Sequence, residues 1–196
     1  HHPARGTVTV ENRQIDFLRQ ADLKFLRSRV QLVMQDGRGS LHPEITIGRL
    51  LEEVIELRQK HEPDFRCEPA QCLAEVGLPN SVLTRKSGQL SGGECLRVNI
   101  ARALIPGPVV LICDESTSAL DRNTRDGIVA LLEDLMSLRQ LAILCITHDE
   151  LVLKHLSQRV MVMANGKIVE QGRTDEVIRY PTHDITRKIF AFQDRL

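Results

Sequence analysis

The run Ser91-Gly92-Gly93-Glu94 constrains this 196-residue chain more than any other feature, because it opens directly into apolar residues at helical spacing. Leu96, Ile100, Ala103 and Leu104 recur on one face, so a helix here packs that face inward. Its first turn then presents unpaired N–H groups and the positive end of a dipole. Two residues without a Cβ let a ligand approach the backbone, and such a helix start favours an anion such as phosphate. The same residues also describe an ordinary loop with a serine N-cap. Pro106 and Gly107 end the helix.

Two apolar runs follow. Residues 109–113 have the length of a buried strand and run into Asp114-Glu115, and residues 141–147 lead to His148 and Asp149. The helical stretch 123–139 between them is long enough for a crossover, which makes the two strands parallel neighbours. Asp114 and Glu115 then stand as a candidate pair at a strand's C-terminal end. The plainer reading is a solvated acidic pair capping a strand. Asp121 precedes a helix and reads as its N-cap. Taken alone, His148 is more often a structural histidine, and Gln35, after the strand-like stretch 29–34, a loop residue.

Twenty-six basic residues balance 26 acidic ones, so no global field draws the chain to nucleic acid or an anionic membrane. No apolar run approaches a membrane span, and no secretory signal is visible. Cys67, Cys72, Cys95, Cys113 and Cys145 lack Cys-x-x-Cys spacing and read as reduced, packed cysteines of a cytosolic protein.

Elsewhere the pattern predicts a strand at 7–10, a turn at 11–13, a return strand at 14–17, and a helix at 18–27 with Leu23 and Leu26 inward. From 40 to 89 the chain turns helical, with periodic residues near 47–58, a polar loop at 59–69, and a helix at 70–76 closed by Gly77 and Pro79. A short helix is expected at 150–156. The Ala164-Asn165-Gly166 turn signals a hairpin, whose alternating Met161 and Met163 read as core rather than metal ligands. Residues 172–175 end that hairpin and cap a last helix.

Taken in order, Leu90 to Glu94, the run through Asp114-Glu115, Ser118-Ala119-Leu120-Asp121 and Thr147-His148 resemble the signature motif, Walker B with catalytic glutamate, D-loop and H-loop of the ATP-binding subunit of ABC transporters. Gln35 falls at the Q-loop. The resemblance implies an α/β fold: a P-loop NTPase-like core with a mostly parallel sheet, an N-terminal antiparallel β part and an inserted helical subdomain. One domain spans 1–196, with the subdomain at about 40–89 and a C-terminal tail from about 173.

The roles follow from the same resemblance. Asp114 and Gln35 contact Mg²⁺, Glu115 activates the water, and His148 bonds the γ-phosphate of ATP. Ser91, Gly92, Gly93 and Glu94 bind the nucleotide held by a second ABC ATPase subunit, identical or a paralogue, and Asp121 crosses that interface. Integral membrane permease subunits and, indirectly, a solute-binding protein complete the assembly at the cytoplasmic face of a bacterial inner membrane, with no nucleic acid.

Residues 36–43 and 181–186 resemble segments of peptide and nickel importers. Gly37, His42, Asp184 and Ile185 depart from those patterns, as Glu94, Leu96 and Ser116 depart from the wider family. The family's G-x-x-x-x-G-K-[ST] phosphate loop does not occur in this sequence. It is expected in an N-terminal portion preceding the present start. The alternative is a non-hydrolysing regulatory or assembly subunit; a soluble ABC ATPase acting on DNA or ribosomes ranks behind it, because long insertions are absent.

Overall fold

The computed structural model describes residues 5–117 and 120–191. Ser118 and Ala119 of the predicted D-loop, residues 1–4 and residues 192–196 lie outside them. The chain opens on an antiparallel hairpin, β1 (Thr9–Val10) and β2 (Arg13–Gln14). Glu11 and Asn12 between them take φ of 49° and 62°, the left-handed pair that a type I′ hairpin turn requires. The return strand is shorter than expected. Helix α1 (Gln20–Arg29) leaves Leu23 and Leu26 half-exposed and buries Asp22 instead. That carboxylate pairs with Arg13 and accepts the Asp16 N–H at 3.1 Å, tying helix to hairpin.

Strand β3 (Val30–Val33) leads into a helical stretch: α2 (Ile47–Gln59), α3 (Pro69–Glu75), single 3₁₀ turns at Asn80–Val82 and Ser87–Gln89, and α4 (Gly92–Leu104). Next come β4 (Val110–Asp114), α5 (Arg122–Arg139) and β5 (Ala142–Ile146). Strands β3, β4 and β5 form one parallel sheet in that order, with α5 as the predicted crossover. Ile47, Leu51 and Leu73 from the helical stretch share one core with Ile100, Leu111, Ile128 and Leu132. The inserted part therefore packs on the α/β part without a break.

One face of the sheet stays bare. Leu32, Ile112 and Leu144 lie in register across the three strands, yet Leu32 is 51% and Leu144 44% exposed. Met34 and Ile146 are exposed beyond them. Parallel sheets ordinarily carry cover on both faces.

Helix α6 (Glu150–Leu156) has the predicted bounds, and β6 (Arg159–Ala164) and β7 (Lys167–Arg173) form the predicted hairpin around Asn165 and Gly166. Met161 and Met163 are not core: they stand 55% and 64% exposed while Val162 is buried. The reason is that two helices, α7 (Thr174–Arg179) and α8 (Asp184–Ala191), pack Val177 and Phe190 against the Val162 side. The sequence had promised only one of them.

Candidate functional site

Because β3, β4 and β5 run parallel, their C-terminal ends line one edge, and each delivers a predicted residue there. Gln35 stands two positions past β3, Asp114 ends β4 with Glu115 next, and His148 stands two positions past β5. The Glu115 N–H donates to the Ile146 carbonyl at 2.8 Å, so the sheet ladder reaches one residue beyond the strand. Glu115 itself has φ 43°, a left-handed conformation that costs a non-glycine residue about 1–3 kcal/mol. Such cost is tolerated where function fixes a side chain. Its carboxylate lies 3.6 Å from His148 Nδ1. Gln35 and Asp114 are exposed.

His148 is steadied by its neighbours. The Asp149 N–H donates to Thr147 Oγ1 at 3.0 Å, and the Asp149 carboxylate caps α6 by accepting the Leu151 N–H at 2.9 Å. The same carboxylate takes Arg125 of α5 at 2.7 Å, a clasp between helices that no local motif announced. Arg122, Arg125, Lys154 and Thr117 line a groove of about 540 Å³ beside His148.

Asp114 and Gln35 offer hard oxygen donors on this edge. Among the described residues no group of three or more His, Cys, Asp or Glu side chains is placed to hold a metal. A sparse oxygen pair fits Mg²⁺, which keeps waters and completes its shell with substrate phosphates.

The remaining predicted residues gather at the starts of α4 and α5. Ser91 N-caps α4: its hydroxyl accepts the Glu94 N–H at 3.2 Å, and the Glu94 carboxylate accepts the Ser91 N–H at 2.7 Å. This reciprocal capping box holds the Glu94 carboxyl below its ordinary range, chiefly through the Ser91 backbone bond. Arg85 stands 3.6 Å away. Gly92 is exposed and Gly93 buried. A Cβ on Gly93 would overlap Thr124 Cγ2, so its bareness lets α4 and α5 meet. Asp121 N-caps α5 as expected, accepting the Thr124 N–H at 3.0 Å and the Thr124 hydroxyl at 2.7 Å. These bonds, the hydroxyl's first, lower its carboxyl.

A short strap joins the two groups. After Gln35 the chain makes a tight turn, with the Gly39 N–H donating to Asp36 Oδ1 at 2.8 Å and the Ser40 N–H to the Asp36 carbonyl at 3.1 Å. Arg38 donates to the Leu90 carbonyl at 2.6 Å, Asn99 to the Gly37 carbonyl at 2.6 Å and Arg102 to the Ser40 carbonyl at 2.9 Å. The turn is thereby stitched to α4. Sequence reasoning missed Arg38, Asn99 and Arg102, because their partners lie far along the chain.

The sheet and its helices have the fold of an ATP-binding cassette. The family described as ABC transporter matches residues 1–118, and the chain belongs to that family. The oligopeptide transport ATP-binding protein OppF of Escherichia coli is 37% identical over 190 residues, covering 95% of this chain and 56% of that protein. The peptidoglycan transport ATP-binding protein YejF of Agrobacterium fabrum is 36% identical over 192 residues, covering 96% of this chain and 35% of that protein. The chain spans about half the length, or less, of these curated relatives. Among solved structures, the dimeric ATP-binding cassette MJ0796 in a post-hydrolysis state with ADP and Pi aligns with a TM-score of 0.71 at 27% identity, covering 89% of this chain and 75% of that one. No helix among the described residues is long and apolar enough to cross a membrane.

Proposed function

We propose that this chain belongs to the ATP-hydrolysing subunit of a bacterial importer for a small solute of the peptide, nickel or metal-chelate class. The observation that carries the reading is the arrival of Gln35, Asp114, Glu115 and His148 at one edge of a single parallel sheet. Asp114 and Gln35 would hold Mg²⁺, which when bound offsets charge on the ATP phosphates. Glu115, fixed by its ladder bond and close to His148, orients the attacking water and draws off its proton. His148 donates a hydrogen bond to the γ-phosphate.

Ser91, Gly92, Gly93, Glu94 and Asp121 sit instead at the starts of α4 and α5, and serve the nucleotide of a second ABC ATPase subunit, identical or paralogous. The bare face around Leu32 and Leu144 is apolar, and in the complete protein the phosphate-loop segment would cover it. Permease subunits then anchor the assembly peripherally at the cytoplasmic face of the inner membrane, with a solute-binding protein acting through them.

The test uses the complete protein. Glu115→Gln should lower ATP turnover by roughly 10²–10⁴-fold, the worth of a positioned general base, while a fluorescent ATP analogue still binds. His148→Ala should also cripple turnover. Unchanged phosphate release in Glu115→Gln would remove Glu115 from the chemistry.

A further inference from the structure

Five cysteines are present, all free. Cys113 and Cys145 face each other across β4 and β5 inside the sheet, and a second pair, one of its thiols half-exposed, stands at a helix start. Glu68 is the N-cap of α3, with Pro69 in its first turn and a capping box closed by Gln71, whose Oε1 accepts the Glu68 N–H at 2.9 Å. Cys67 is therefore the residue before the cap, and Cys72 the fourth residue of the helix. Those are the two positions where a hydrophobic staple brings side chains together across a helix start. Here both are thiols, and their sulfurs lie 3.2 Å apart. A disulfide needs about 2.05 Å, so closure asks for a shift of roughly one ångström at side chains already facing each other.

We propose that Cys67 and Cys72 form a dithiol modification site, which takes a thiol–disulfide oxidant and closes to an intramolecular disulfide at the start of α3.

Access and support both favour the pair. Cys67 is half-exposed and within reach of a small oxidant, whereas Cys72 is 5% exposed. The approach to Cys67 is braced: Phe65 stacks on the Arg58 guanidinium at 3.9 Å, and Gln59 donates to the Phe65 carbonyl at 3.3 Å. Burial, with Cys67 beside it, pushes the Cys72 thiol up to about 12, so Cys67 is the first to react. Its thiolate, having lost its proton to solvent, attacks the oxidant's disulfide, forming a mixed disulfide and expelling one thiolate, which takes up a proton. Cys72 then loses its proton and attacks the Cys67 sulfur, expelling a second thiolate, which is protonated in turn. The two cysteines lose two electrons, and the oxidant becomes two thiols. Once formed, the bond fixes the angle at which the chain enters α3.

The experiment treats the folded chain with oxidised glutathione, blocks remaining thiols and maps peptides without reduction. We expect a single Cys67–Cys72 link and a melting temperature raised by several degrees, both reversed by dithiothreitol. Cys67→Ser should abolish the link and the rise. Cys72→Ser should trap glutathione on Cys67; if that variant does not fold, Cys67→Ser still decides. Three results would overturn the proposal: glutathione left on Cys67 of the native sequence with Cys72 still blockable, a link between Cys113 and Cys145 instead, or a Cys67–Cys72 link that forms only in denaturant.

Discussion

At the start of α4 a single missing carbon sets how closely two helices meet. Thr124 is β-branched and its hydroxyl is tied to Asp121, so it yields little when a Cβ is added at Gly93. Gly93→Ala should cost about 1–3 kcal/mol of stability, as overpacking does. A urea titration of both proteins reads this, and an unchanged midpoint would show that the helices part freely. Glu94 lends itself to a finer change. Gln at 94 still accepts the Ser91 N–H but removes a negative charge from the place proposed for a phosphate. In the complete protein Glu94→Gln should lower KM for ATP by about twofold to fivefold, the scale of one exposed charge pair, with kcat little altered. A KM that rises would mean the charge is used. The candidate residues were legible because they fall in order at strand ends and helix starts. The left-handed backbone of Glu115 was not, since no glycine or asparagine marks it.

Helices and strands show where local pattern suffices and where it fails. Asn165-Gly166 specified its hairpin by turn chemistry alone, and the capping Asp149 set the start of α6. Alternation showed that Met161 and Met163 share one side of β6, but it does not say which side is covered; α7 and α8 decide that. Helix α8 is itself held by a distant residue. Glu170 accepts the Thr182 N–H and hydroxyl at 2.8 Å each and the His183 N–H at 2.9 Å. Burial opposes its ionisation, but these bonds outweigh it and bring the carboxyl from 4.5 to about 2. Because the folded value lies below the unfolded one, the contribution is full above about pH 4.5 and fades as pH falls toward 2. Amide NMR signals of α8 should shift toward unfolded positions across that window. In Glu170→Gln the helix should already be loosened at neutral pH and show little further change. Identical titrations in the two proteins would clear Glu170 of the role.

For the whole molecule, the bare face of the sheet is the feature to test. Leu32→Thr with Leu144→Thr should alter the stability of the present chain by only about 0.5 kcal/mol per site, as exposed substitutions do. In the complete protein, if a phosphate-loop segment covers this face, each should cost roughly 1–3 kcal/mol. Equal effects in both would mean that the face stays open. The parallel order of the sheet was readable from strand, helix and strand lengths, while its uncovered side was not, because periodicity records only that a strand is apolar.

The ladder bond from Glu115 to Ile146 has one more consequence. The carboxylate is aligned with His148 by strand register, and register is chosen by which side chains of β4 are buried. A slip of one residue would turn Leu111 and Cys113 toward water and misplace Glu115 in the same motion. Misaligned chains are therefore removed for being poorly folded, and the geometry of the site is proofread by residues that never touch it.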